Sequence, residues 1–202
     1  MISRNKSQIE TGFSLIEVLV AIAILGILAA IAVPSFQDFV SDSRQTGVYK
    51  DVSSAFRYAR SEAIKRSNGV TVCARASDTS CSDDDWNDGL LVFSDSVSDG
   101  AILELDGSDE VLRIISIDSS HASIDASALT AADASAVAST AIRFNGRGQT
   151  NWKRGTVVIC DERGAGHAKA FVMTGSGVGR EAYASDSSDG VVVDASGAAV
   201  TC

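Results

Sequence analysis

Glu17 stands inside a run of 21 residues, 13–33 (FSLIEVLVAIAILGILAAIAV), that is apolar apart from this residue and Ser14. At ~1.5 Å per residue, about 20 such residues in a helix cross the hydrocarbon core of a bilayer. A carboxylate at that depth is costly unless a cation neutralises it. The chemistry on offer is charge pairing in an apolar setting, not proton transfer to a substrate. Just before the run stands Gly12, which has no side chain.

Four cysteines form the second set: Cys73, Cys81, Cys160 and Cys202. An even number in an exported domain points to two disulfides, and four cysteines allow three connectivities. The preferred one joins Cys73 to Cys81 and Cys160 to Cys202, because Cys202 would otherwise sit on a fraying segment. Zinc ligation would want CxxC spacing, which the sequence lacks.

Other constellations fall short of chemistry. Asp83-x-Asp85-x-Asn87 hints at a calcium loop, but Asp88 and Ser94 occupy the places where an EF-hand needs Gly and Glu. A solvated acidic turn is the plainer reading. Gly175-Ser-Gly177-Val-Gly179 is neither a Walker loop nor set in a strand-to-helix context. His121 and His167 are far apart, and no Ser/His/Asp or Cys/His set presents itself. We expect no enzyme activity, no cofactor and no metal.

Charge gives these residues a direction. The chain carries 17 Lys and Arg against 26 Asp and Glu, a formal charge of −9. This argues against general nucleic-acid binding, which needs clustered cations. Residues 1–12 hold Arg4 and Lys6 against Glu10, whereas residues 78–133 are dominated by Asp. A basic end, an apolar run and an acidic domain place the first on the cytoplasmic side and the last across the membrane.

The elements that must position these groups follow from periodicity. After the apolar run, Phe36, Phe39 and Val40 start a stripe, and Val48, Val52, Ala55, Phe56, Ala59, Ala63 and Ile64 continue it at helical spacing. Asn68-Gly69 is a fitting stop. Residues 13–67 therefore read as one helix, greasy all round at first and amphipathic later. Pro34, the sole proline, should bend it, and Gly47 loosens it. From residue 70 short apolar runs separated by Gly, Asn and Asp predict strands at 70–74, 90–94, 102–105, 111–117, 141–144, 156–160, 169–174 and 191–193. The fold class is α+β: a long N-terminal helix packed on an antiparallel sheet domain. The Ala/Ser/Asp-rich stretch 118–140 reads as an insertion or loop.

Gly12-Phe13-Ser14-Leu15-Ile16-Glu17 closely resembles the processing site of type IV prepilins and pseudopilins. A cleaved secretory signal peptide is a rival, with Ala30-Ile31-Ala32 as its site, but its apolar region is usually only about 7–15 residues. A plain anchor leaves Glu17 unexplained. The resemblance implies cleavage after Gly12 by a prepilin peptidase, N-methylation of Phe13, a register role for Glu17 in assembly and a helix kink at Pro34.

The later motifs narrow the family. Arg60-Ser61-Glu62-Ala63-Ile64-Lys65-Arg66 and Val70-Thr71-Val72-Cys73 are followed by Trp86-x-x-Gly89-x-x-Val92-Phe93-x-Asp95. Ile142-x-Phe144 with Gly146 and Gly148, then Ile159-Cys160-Asp161 and Gly179-Arg180, close the series. Their order resembles the GspH/FimT family of minor pilins and pseudopilins. The implied division is a leader at 1–12, a transmembrane and filament-core helix at 13–34, an amphipathic helix at 35–69 and a periplasmic β-rich domain at 70–202.

The implied partners are other minor and major pilins or pseudopilins, prepilin peptidase, the inner-membrane assembly platform and the inner membrane itself. The implied role is a minor pilin at or near a type IV pilus tip that helps prime assembly. The alternative is the H-type minor pseudopilin of a type II secretion system. A lesser alternative is DNA contact through Arg180, Lys153 and Arg154, with Arg147 nearby. Against it, Glu181 and Ala182 break the Gly-Arg-x-Arg pattern of DNA-binding relatives.

Overall fold

The computed structural model describes residues 13–82, 85–95, 105, 107, 109–118, 122–126, 141–150, 154–182, 192–193 and 197–202. The chain divides into two compact units, 1–40 and 41–202. One helix, α1 (Leu15–Arg66), contributes to both.

Ser14 begins α1 as its cap. The Glu17 N–H donates to the Ser14 hydroxyl oxygen at 3.3 Å and to its carbonyl at 3.1 Å, which satisfies one of the free donors of the first turn. The helix continues through Pro34, whose ring nitrogen leaves the Ala30 carbonyl without its usual donor. The Ser35 hydroxyl donates to the Ile31 carbonyl at 3.3 Å. At the other end Ser67 takes a left-handed φ of 54°. Asn68 N–H donates to the Ala63 carbonyl and Ser67 N–H to that of Ile64, both at 3.3 Å, a Schellman closure. The stop is therefore Ser67, not the expected Asn68-Gly69. Gly69 instead opens the first strand.

Nine strands follow among the described residues. β1 (Gly69–Ser77), β2 (Ser80–Cys81), β3 (Leu90–Asp95), β4 (Glu110–Ile115) and β6 (Ala141–Phe144) form one antiparallel sheet. β1 lies at its centre, pairing with β3 along one edge and with β2 and β6 at the two ends of the other. β5 (Ser123–Asp125), β7 (Arg154–Cys160), β8 (Lys169–Thr174) and β9 (Gly179–Glu181) form a second, in the order β5-β7-β8-β9.

Three strands go beyond the sequence reading: β2, β5 and β9. β5 falls inside the stretch read as a loop, and pairs Ile124 with Ile159 of β7. Of the expected strand at 102–105 only Leu105 lies among the described residues, and Val192 and Val193 form isolated bridges rather than a ladder.

The main core lies between α1 and both sheets. Val48, Val52, Phe56, Ala59 and Ala63 meet Val70, Val72, Leu90, Val92, Ile142 and Phe144 of the first sheet. They also meet Val157, Ile159, Phe171 and Met173 of the second. Phe56 stacks on Phe171 with ring centroids 5.4 Å apart and approaches Trp86 at 6.2 Å. Trp86 and Phe93 are core residues, as their types suggested. Ile64, expected in the stripe, is 45% exposed. It sits beside Gly148, whose missing Cβ would lie 2.7 Å from the Ile64 Cδ1.

Each sheet also buries its other face. Cys73, Leu91, Phe93 and Ala141 cluster behind the first. Val158, Cys160, Ala168, Ala170 and Val172 cluster behind the second, with Ala182, Val192 and Val200. Burial on both faces explains why Leu90-Leu91-Val92-Phe93 and Val157-Val158-Ile159 read as unbroken apolar runs instead of alternating ones.

Candidate functional site

The N-terminal part of α1 is apolar on every side and is exposed along its length. Phe13 is 82% exposed, and Leu15, Ile16, Leu19, Ile22, Leu25, Leu28 and Ile31 are all open. By length and composition this helix is able to cross a membrane. A helix hydrophobic all round needs an apolar environment, and the described residues leave this one exposed. Glu17 is an open carboxylate in that stretch, placed at the third helical residue. Its spacing from Ser14 is that of a capping box, a signal the sequence reading did not use, and its N–H donates to the Ser14 hydroxyl oxygen. Gly12 lies outside the described residues; Phe13 immediately precedes the Ser14 cap.

Among the described residues, Asp95 and Asp161 are nearly fully buried carboxylates, each paired with an arginine, that the sequence did not reveal. Asp95, at the end of β3, is 1% exposed. Arg143 on β6 places Nε 3.2 Å from its Oδ2, and the Thr71 hydroxyl on the intervening β1 donates to the same oxygen at 2.5 Å. In the turn after β7, Arg163 contacts Asp161 at 2.6 Å and Asp42 of α1 at 2.7 Å. Burial opposes ionisation of Asp161, but the hydrogen bonds from Arg163 outweigh it and hold the carboxyl below its ordinary range. Gln45 adds a polar pin, its Nε2 donating to the Ile159 carbonyl at 3.1 Å in the core.

The glycine-rich stretches are turns. Gly177, at φ 74°, sits in the β8–β9 turn, where its N–H donates to the Thr174 carbonyl at 2.8 Å. Asn145 organises the turn after β6, its Oδ1 accepting from the N–H groups of Arg147 and Gln149. The two turns touch: a Cβ on Gly177 would lie 2.0 Å from the Gly148 oxygen. That oxygen also accepts a 3.0 Å hydrogen bond from Arg60 of α1.

The acidic turn is likewise structural. Asp85 Oδ1 accepts from Asn87 N–H, and Asn87 Oδ1 accepts from Ile124 N–H at 2.7 Å; Asp83 lies outside the described residues. Among the described residues no cluster of three or more His, Cys, Asp and Glu is placed to hold a metal.

Disulfides join Cys73 to Cys81 and Cys160 to Cys202. Of the cations considered for DNA, Arg180 lies on β9 and donates to the carbonyl of Glu181 at 3.2 Å. Arg147 is in the turn after β6, Arg154 opens β7, and Lys153 lies outside the described residues. His167 closes a short 3₁₀ turn at Ala165–His167, and His121 is outside the described residues.

The sequence profile of the family described as Type II transport protein GspH matches residues 50–179. That of the Prokaryotic N-terminal methylation motif matches residues 9–33. A fimbrial protein of Pseudomonas aeruginosa is 39% identical over 70 residues, 35% of this chain and 45% of that protein. The type IV major alpha-pilin of Moraxella bovis is 56% identical over 39 residues, 19% of this chain and 24% of that one. The chain thus spans less than half the length of these curated relatives. The crystal structure of the type IV minor pilin FimU of Pseudomonas aeruginosa aligns with a TM-score of 0.47 at 18% identity, covering 67% of this chain and 90% of that one.

An exposed apolar helix with a methylation motif, leading into a helix-on-sheets domain, defines a protein of the type IV pilin and pseudopilin class. Within that class the chain belongs to the GspH family, whose profile covers most of it.

Proposed function

We propose that this chain is a minor pilin. Prepilin peptidase cuts after Gly12 and methylates Phe13. The helix at 13–34 holds the subunit in the inner membrane, with the globular unit in the periplasm. The assembly platform then moves it into a type IV pilus, at or near the tip, where it contacts other minor and major pilins and helps prime assembly. The role is structural, with no catalytic step.

The observation that carries this reading is the helix apolar on all sides with one carboxylate four residues after Phe13. Lipid satisfies the apolar surface before assembly, and neighbouring helices satisfy it afterwards. Glu17 needs a cation in either setting, and the amine exposed on a neighbouring subunit's Phe13 supplies one. A mismatched register leaves a charge unpaired in an apolar core, so the pair sets axial position. Pro34 gives the helix a point at which to bend into the filament.

Mass spectrometry of the exported chain tests the first step. A mature N-terminus at methylated Phe13, lost in Gly12→Leu, is expected; a chain that retains Met1 or starts at Val33 would end this reading. The second reading, an H-type minor pseudopilin, is favoured by the family's own description as a type II transport protein. Deleting the gene separates them: loss of surface pili supports the first, and loss of protein secretion with pili intact supports the second.

A further inference from the structure

We propose that Asn145 is a site of spontaneous deamidation, at which the Gly146 backbone nitrogen closes on the Asn145 side chain and ammonia leaves. The chain holds two Asn-Gly pairs, Asn68-Gly69 and Asn145-Gly146. Glycine after asparagine suits this chemistry, because no Cβ hinders approach of the backbone nitrogen to the side-chain carbon. The fold treats the two pairs differently.

Asn145 is exposed and begins the tight turn between β6 and Thr150, which bridges back to Phe144. Gly148 N–H donates to the Asn145 carbonyl at 2.7 Å, Gly148 takes a left-handed φ of 72°, and Asn145 N–H donates to the Gln149 carbonyl at 2.9 Å. The loop is thus a β-turn closed by a bulge. Within it Asn145 Oδ1 accepts from Arg147 N–H at 2.9 Å and from Gln149 N–H at 3.1 Å. These bonds hold the side-chain amide against the main chain beside Gly146. They also sit where negative charge develops when Cγ is attacked, in the manner of an oxyanion hole. The Gly146 N–H takes no part in the bonds that close the turn. An open cavity of about 520 Å³, lined by Ser67, Asn145, Gly146 and Arg147, admits water and hydroxide.

Asn68 is set differently. Gly69 is buried at the start of β1, where it pairs with Asp95. Its N–H donates to Asn68 Oδ1 at 2.8 Å, so the proton is held by the oxygen of the amide it would have to attack. Arg143 Nη2 and the Asp95 carbonyl oxygen close over Gly69, 2.1 and 2.5 Å from where a Cβ would stand. Ring closure there requires Gly69 to leave the ladder.

The step needs only water and hydroxide. Hydroxide takes the Gly146 N–H proton, the nitrogen bonds to Asn145 Cγ, and the carbonyl electron pair moves onto Oδ1. The carbonyl then re-forms, the Cγ–Nδ2 bond breaks, and the nitrogen takes a proton from water and leaves as ammonia. Water adds to either carbonyl of the resulting succinimide and opens it to aspartate or isoaspartate. Both products bring a new carboxylate. Isoaspartate also adds a carbon to the main chain, in a turn whose Gly146 stands against the Ser67 backbone at the end of α1.

The test is incubation of the full chain in detergent in mildly alkaline buffer, followed by peptide mapping by mass spectrometry. A gain of about one dalton should appear at Asn145 at least about tenfold faster than at Asn68, because the buried strand opens rarely. Enzymatic methylation of isoaspartate should label the same Asn145 peptide. In urea with the disulfides reduced, the two rates should converge. Modification of Asn68 first, or equal rates at the two sites in the folded chain, overturns the proposal. So does an Asn145 that stays intact in the folded chain while it converts in urea.

Discussion

Arg143 reaches Asp95 across β1 by passing over Gly69, which has no side chain to stop it. A Cβ on Gly69 would lie 2.1 Å from Arg143 Nη2 and 2.5 Å from the Asp95 carbonyl oxygen. The residue read from the sequence as part of a helix stop is therefore the gap through which a buried ion pair closes. Gly69→Ala should destabilise the globular unit by about 2–3 kcal/mol in urea unfolding followed by Trp fluorescence. Asp95→Ala should cost more, about 3–5 kcal/mol, because it strands a largely buried guanidinium. Thr71→Val removes one hydrogen bond and should cost about 1 kcal/mol. An Asp95→Ala variant as stable as Thr71→Val would show that the pair contributes little.

Acid stability should depend on two carboxylates. Hydrogen bonds from Arg66 and then Lys65 lower Glu62 from its ordinary 4.5, and Asp161 is held below 3.8 by Arg163 against the effect of burial. A group whose folded pKa is depressed stabilises the fold above its unfolded pKa, and that contribution fades as pH falls through the folded value. Tm should thus be flat above about pH 5 and fall below it. Arg163→Gln keeps the backbone N–H bond to Asp161 but loses those of the guanidinium, so burial is less opposed and the lowering shrinks. The Tm gap between parent and variant should narrow from pH 7 to pH 3; a gap that widens would contradict this assignment.

Much of this architecture was legible because it is local. Val48, Val52, Phe56, Ala59 and Ala63 recur at helical spacing, and each is buried where that spacing puts it. Hidden were features that depend on register. Arg143 and Asp95 are 48 residues apart and become partners only because β1 pairs with both of their strands. Ser123-Ile124-Asp125 has no apolar run, and is a strand only because β7 offers it an edge. At Ser67 a residue with modest left-handed preference takes the cap, and Gly146 leaves room for its backbone: a Cβ on Gly146 would stand 2.7 Å from the Ser67 carbonyl carbon.

The β8–β9 turn and the turn after β6 share one close contact, and Gly177 makes it possible. Gly177→Ala meets two obstacles: a φ of 74° and the Gly148 oxygen 2.0 Å from the new Cβ. We expect a loss of about 2–3 kcal/mol, with the Arg60 to Gly148 hydrogen bond displaced. Gly197→Ala is the comparison, with φ at 88° but nothing within 4 Å of the added carbon. It should cost only the backbone strain, about 1–2 kcal/mol. Equal losses in the two variants would mean that the turn contact yields freely.

Ser14 and Glu17 meet at the start of α1, and their two roles can be separated. The Ser14 hydroxyl oxygen accepts from Glu17 N–H, so Ser14→Ala should fray the first turn at about 1 kcal/mol and leave filament entry largely intact. Glu17→Gln keeps the shape and the backbone bond but removes the charge. On the proposed pairing with a neighbour's N-terminal amine, Glu17→Gln should be cleaved and inserted normally, yet recovered in sheared filaments at a small fraction of the parent level. Glu17→Asp keeps the charge on a shorter arm and should recover part of that loss. If Ser14→Ala and Glu17→Gln lose filament entry equally, the carboxylate acts through the helix cap rather than through a partner subunit. The register argument then fails, although processing at Gly12 would be untouched.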